Sequence, residues 1–261
     1  MKLTIIIPYN GSPASLEETL VSLLENRPEK SEIIVVLNVP YENTYDLCEE
    51  EVRFAQNPEM SRSFESAVET AVKRTDGEIL HIVPCGSLVS GGWADAARTL
   101  FHDDPKVTCV IPLLRKTPGL VLTQGFHFSD AGDLLPVYGE TVEVQKRTEN
   151  SHVPHPFGVF FRRESYAAAG GLDPSFGGTL AVVDLALKAR KNGGKIVATA
   201  ESSLTVPANM LYPDGPENTR RQVKRLFRRW IFAKKPLLGL CVLAAQYFPF
   251  LRKKTEVRYE S

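Results

Sequence analysis

Few residues in this 261-residue chain have the type and spacing that chemistry needs. Cys85 follows a short apolar run in Pro84-Cys85-Gly86-Ser87, and His81 lies four residues before it. A thiol becomes a nucleophile where a nearby base or cation lowers its pKa. The sequence assigns no such partner to Cys85, so packing or a plain loop role is the simpler expectation. His152 and His155 stand three apart in His152-Val153-Pro154-His155-Pro156. On a helix that spacing chelates a metal, but the interleaved prolines predict an extended loop. Asp103-Asp104 precedes Pro105 and reads as a solvated turn. Asp184 reads as a first-turn carboxylate favoured by the helix dipole. No glycine-rich phosphate loop of either standard spacing occurs.

Positioning these residues falls to alternating strands and helices. Residues 3–7 form a short β-branched apolar run, closed by the loop Pro8-Tyr9-Asn10-Gly11-Ser12-Pro13. Ser15-Leu16-Glu17-Glu18 has the form of a capping box, with Leu16, Leu20, Leu23 and Leu24 at helical spacing. Residues 32–37, 78–83 and 107–114 predict three more strands, and residues 64–72 and 93–101 predict helices. From about residue 115 the pattern loosens. Residues 119–139 read as a hairpin or long loop turning at 129–133. A helix starts at Arg163-Glu164-Ser165, another spans 179–192 before Gly193-Gly194, and residues 195–199 give a last strand. This order predicts an α/β fold with a mostly parallel sheet, helices on both faces and right-handed crossovers. Such sheets bind ligands at the carboxyl ends of their strands. The candidate binding residues are therefore Pro8, Tyr9 and Asn10 after the first strand, Asn38 after the second, and Cys85 and Ser87 after the third.

With 43% hydrophobic and 24% charged residues, the composition excludes collagen-like, low-complexity and disordered classes. Cys48, Cys85, Cys109 and Cys241 lie far apart with no Cys-x-x-Cys pair, which speaks for a reducing, cytoplasmic setting. The opening apolar run stops at Pro8, too short for a signal peptide. The net charge of zero conceals an asymmetry. Residues 220–261 carry twelve Lys/Arg and two Glu, whereas residues 1–219 carry nineteen basic and twenty-nine acidic side chains. Arg220, Arg221, Lys224, Arg225, Arg228 and Arg229 recur with helical period, interleaved with Val223, Leu226, Phe227, Trp230 and Ile231. An apolar run of fifteen residues, 237–251, follows between basic flanks. It is shorter than the ~20 residues of a spanning helix. The chain thus divides into a body, 1–206, and a basic tail, 207–261. The tail predicts an interfacial segment over residues 220–254 on an anionic membrane surface, peripheral to its inner face. A competing reading packs the tail on the acidic body. Nucleic acid ranks last, because no reader motif accompanies the charge.

Seven stretches of the body point to one family when taken in order. They are Ile5-Ile6-Ile7-Pro8, Leu16-Glu17-Glu18-Thr19-Leu20, Glu32-Ile33-Ile34-Val35-Val36, Asp76-Gly77-Glu78-Ile79-Leu80, Phe161-Arg162-Arg163, Gly170-Gly171-Leu172-Asp173 and the run from Asp184 to Gly193. Across residues 1–206 the chain resembles a family 2 glycosyltransferase of the GT-A (nucleotide-diphospho-sugar transferase) fold. The resemblance implies sugar transfer from a nucleotide donor. It implies a divalent metal held by Asp-x-Asp at the end of the third core strand, and an acidic pair opening the late helix as the base. Here the first position reads Pro84-Cys85-Gly86 and the second Ala181-Val182. One soft thiol is a poor ligand for hard cations, so neither Mg nor Mn is expected at the usual site. Asn38 stands where the family has acidic residues that contact base and ribose, and can still hydrogen-bond a base edge. The donor-loop pattern becomes Ser63-Phe64-Glu65, and no late histidine lies near Leu204-Thr205-Val206. Residues that match the family build the fold; those that do not are the ones it uses for chemistry. Two functions stay open. One is a glycosyltransferase of cell-envelope or membrane-linked glycan synthesis, with Arg62 or Lys188 replacing the cation. The other is a catalytically inactive GT-A pseudoenzyme that binds a glycan, nucleotide or protein partner.

Overall fold

Leu3–Tyr9 (β1) has all seven side chains buried, because it lies inside a sheet covered on both faces. The computed structural model describes residues 1–58, 63–117, 120–128, 134–136, 152–207 and 216–232. β1 runs two residues past the expected end, through Pro8 and Tyr9, pairing with Ser31–Leu37 (β2) along its whole length. Pairing on the other side, with Ile79–Ile82 (β4), stops at Ile6. The missing N–H of Pro8 therefore costs the ladder nothing. Helix α1 (Pro13–Glu25) starts earlier than the capping box predicted. Ser12 is its N-cap and Pro13 its first residue, where the fixed φ of proline is already helical. Ser15 thus lies inside the helix, with its hydroxyl accepting from Ser12 Oγ at 2.8 Å.

Arg53–Gln56 (β3) extends the sheet beyond β2 and was not expected, being only four residues long. Phe64–Arg74 (α2) is capped by Ser63, whose Oγ accepts from Ser66 N. Asp95–Asp103 (α3) leads to Val107–Thr117 (β5), from which Leu120–Thr123 (β6) folds back antiparallel. Phe126–Phe128 (β7), Leu134–Pro136 (β8) and His152–Val153 (β9) make a small antiparallel sheet. The turn expected at 129–133 lies outside the described residues. Phe160–Arg162 (β10) is the main departure from a parallel reading, because it wedges antiparallel between β4 and β5. Arg163–Ala168 (α4), a 3-10 turn at Pro174–Phe176, Thr179–Lys191 (α5) and Lys195–Thr205 (β11) complete the body. Pro216–Phe227 (α6) continues as a π-helical turn, Arg228–Phe232.

The main sheet has the order β11-β5-β10-β4-β1-β2-β3. Alternate side chains feed two cores, as the pleat requires. Ile5 and Ile7 pack with Leu16, Leu20, Trp93 and Phe101 under α1 and α3. Ile6 packs on the other face with Val68, Phe161, Leu180 and Leu226 under α2, α4, α5 and α6.

Candidate functional site

Strands β1, β2 and β3 end side by side, and the residue after each is an asparagine: Asn10, Asn38 and Asn57. The parallel register brings the three amides into a row. Asn38 Nδ2 donates to Asn10 Oδ1 at 2.7 Å, Asn57 Nδ2 to Asn38 Oδ1 at 2.6 Å, and Ser66 Oγ to Asn57 Oδ1 at 2.6 Å. Backbone bonds set the row in place, from Asn38 N to Tyr9 O (3.1 Å) and from Asn57 N to Leu37 O (3.0 Å). Asn10 is exposed and Asn38 half-buried, so the open end of the row keeps amide N–H groups for a ligand. An uncharged row with both donors and acceptors complements a heterocycle edge or sugar hydroxyls. Asn10 and Asn38 are among the binding residues expected from the sequence; Asn57 and Ser66 are not, because β3 was not expected, and its signal was Asn57-Pro58 closing the short run Arg53-Phe54-Ala55-Gln56.

The other expected site residues do structural work. Pro8 and Tyr9 are buried in β1, and the Tyr9 ring meets Tyr41 edge-on at 5.4 Å, with Tyr41 stacked on Phe54 at 5.5 Å. Burial pushes the Tyr9 hydroxyl pKa up. Cys85 Sγ lies 3.6 Å from Pro8 O as a weak donor, and burial pushes its pKa up to about 12, so it stays a thiol. Gly86 N is shared by Ser15 O and Thr19 Oγ1, both at 2.8 Å. At φ +82° a Cβ on Gly86 would sit 2.7 Å from Pro207 Cγ, so only glycine fits. Ser87 Oγ is buried and has no hydrogen-bond partner among the described residues. His81 is not paired with Cys85. Its Nδ1 faces Val159 O at 3.2 Å, its ring stacks on Phe160 at 3.7 Å, and burial lowers its pKa to about 3. The loop after β4 is thus a clamp between α1 and the end of β11.

At α5 the same polar chemistry is turned inward. Ala181 and Val182 are fully buried, in one core with Val223 and Leu226 of α6. Asp184 is the sixth residue of α5, not a first-turn carboxylate as expected, and is also fully buried. It is held by charge and by a hydrogen bond: Lys188 Nζ lies 2.9 Å from Oδ2, Trp230 Nε1 donates to Oδ1 at 2.7 Å, and Arg229 Nη1 is 3.6 Å away. Arg229 also reaches Asp173 at 3.0 Å. The Ser175 hydroxyl, then Arg229 and the Ser175 N–H, hold Asp173 down to about 2. In Gly170-Gly171-Leu172-Asp173, a Cβ on Gly171 would lie 2.5 Å from Glu69 Oε1, which accepts from Leu172 N at 3.1 Å and from the Tyr166 hydroxyl. That motif builds a turn.

The remaining candidates resolve simply. Asp104 accepts from Lys195 Nζ (2.6 Å) and Lys106 N (2.8 Å) in a turn. His155 is buried against Phe126, its ring 5.3 Å away, and its Nδ1 accepts from Phe157 N. Among the described residues no three His, Cys, Asp or Glu are grouped to hold a metal. Among them, too, no helix is long and apolar enough to cross a membrane. Val223, Leu226 and Phe227 are buried on the body, so this part of the tail packs as the competing reading expected. Arg62 and the tail beyond Phe232 lie outside the described residues.

The glycosyl transferase family 2 model matches residues 4–169, well over half of the chain. The chain belongs to this family. No curated protein matches it in sequence. Among solved structures, the crystal structure of GalNAc-T7 with UDP, GalNAc and Mn2+ is similar at TM-score 0.65 and 15% identity, over 87% of this chain and 47% of that one. TarS of S. aureus gives 0.67 and 14%, over 99% and 46%. A mannosyltransferase of Pyrobaculum calidifontis in complex with GDP-Man and Mn2+ gives 0.56 and 16%, over 96% and 82%. The chain therefore spans under half the length of the first two. These likenesses establish the GT-A fold.

Proposed function

We propose that this family 2 domain binds a nucleotide sugar, or its nucleotide, by the nucleoside end along the Asn10–Asn38–Asn57 row, and does not perform metal-assisted sugar transfer. The observation that carries this reading is the contrast between an open amide row and filled catalytic positions. Pro84, the Cys85 thiol and Gly86 offer no hard anionic oxygen, so a divalent cation does not fit that loop. Ala181 and Val182 are core residues, and Asp184 is already paired with Lys188. UDP and GDP-Man in structures of the same fold support a nucleotide ligand. Metal-independent transfer with Lys188 as the cation finds no support, since Lys188 is paired with Asp184. The setting we propose is cell-envelope glycan assembly, peripheral to a membrane, supported by the basic residues of 220–254.

A thermal-shift screen with UDP-, GDP-, CMP- and dTDP-sugars, each with and without manganese, tests the proposal. A ligand bound by the folded state alone raises the melting point by mass action. One nucleotide class is expected to raise it equally with and without manganese, with the donor recovered intact. A shift that needs manganese, or release of the sugar, overturns it.

A further inference from the structure

Helix α6 and its π-helical extension have two faces of opposite character. Val223, Leu226 and Phe227 are buried on the body. The other face exposes Arg221, Lys224, Arg225, Arg228 and Arg229. Two of these are engaged: Arg225 Nη1 donates to Ser175 O at 3.0 Å, and Arg229 pairs with Asp173. Arg221, Lys224 and Arg228 have no hydrogen-bond or ion-pair partner among the described residues. They lie on one line of the helix, about 10 Å from first to last at 1.5 Å per residue. On the opposite, body-facing side of the helix, Trp230 packs with the core and lines a groove of about 330 Å³ with Lys188, Lys191, Asn192 and Arg229. Lys191 Nζ lies 5.9 Å from the Trp230 ring centre.

From this we infer that the outer face of α6, along Arg221, Lys224 and Arg228, docks on an anionic phospholipid surface through headgroup phosphates. The inference rests on the membrane reading above and changes its geometry. An inserted amphipathic helix turns its apolar face to the acyl chains. Here that face is spent on the body, so docking is electrostatic and leaves α6 above the headgroups. Lipid rather than nucleic acid is the partner because the sequence continues into an apolar run, residues 237–251, between Lys234-Lys235 and Arg252-Lys253-Lys254. The exposed face also carries no row of aromatics on which bases could stack.

The test uses the full chain, pelleted with phosphatidylglycerol or pure phosphatidylcholine vesicles at low and high salt. Binding should require the anionic lipid and weaken with salt. Arg221→Glu/Lys224→Glu/Arg228→Glu should weaken it at least about a hundredfold, since each cation near such a surface contributes about one kcal/mol. A second variant reverses Lys234, Lys235, Arg252, Lys253 and Lys254 instead. If that variant loses binding while the α6 variant keeps it, the α6 inference is overturned and the membrane reading survives. If no anionic vesicle binds, both fall. Tighter binding to single-stranded RNA than to vesicles at equal salt also overturns the inference. Trp230 reports the geometry, because the chain's other tryptophan, Trp93, is buried. Packed on the body, its indole should resist quenching by lipids brominated deep in the acyl chain; strong quenching contradicts docking by the outer face.

Discussion

The carboxyl edge of β1–β3 and the α5–α6 junction are built from polar side chains used to opposite ends. At the edge, Asn10, Asn38 and Asn57 bond one another in a row whose first member is exposed. At the junction, Lys188, Arg229 and the Trp230 N–H surround the fully buried carboxylate of Asp184. An uncharged row with spare N–H groups can exchange water for a ligand at little cost. A buried, paired charge cannot be freed without a large penalty. The difference separates a place that can bind from a place that holds the fold together, although the family places chemistry near both.

Breaking the junction should have the largest effect. Asp184→Ala strands the Trp230 N–H and leaves the partly exposed Lys188 unpaired, and is expected to cost about 2–3 kcal/mol of unfolding free energy by urea titration. Nucleotide affinity of the folded fraction should not change. The core between the two regions gives the next effect through His81, neutral when folded because its pKa is lowered to about 3. The unfolded chain binds that proton below about 6.5, so stability should fall as pH drops from there to about 3, by up to about 1.4 kcal/mol per pH unit. His81→Phe should flatten that part of the profile. At the edge, Asn38→Ala should weaken nucleotide binding about tenfold while costing only about 1 kcal/mol of stability. The smallest perturbation is thiol labelling of the native protein. Cys48 is exposed and should react, whereas Cys85 and Cys109, both raised in pKa by burial, should react only on unfolding. Rapid labelling of Cys85 would reopen the loop after β4 as a reactive site.

Local pattern made much of this legible. The apolar run of β1, the helical spacing of α1, α2 and α5, and the glycines after α5 all state their structure within a few residues. β3 and β10 do not, because four and three residues carry no measurable period and are strands only through their neighbours. Losing β3 hid Asn57, the third member of the row. The edge was half legible for that reason: Asn10 and Asn38 follow visible strands. The burial of Asp184 was not legible at all, because its partners Arg229 and Trp230 lie forty-five and forty-six residues along the chain. Tyr9 was misplaced because Pro8 looks like a strand terminator, while the structure puts that proline where the ladder to β4 has already ended.

Calorimetric titration of the nucleotide selected by the screen, in manganese and in EDTA, against wild type and Asn38→Ala, tests the central contrast most directly. Affinity should be equal in both buffers and about tenfold weaker in the variant, with the donor intact in the cell afterwards. A tenfold gain with manganese, or free sugar in the cell, would show that the loop after β4 or the α5 junction still does chemistry.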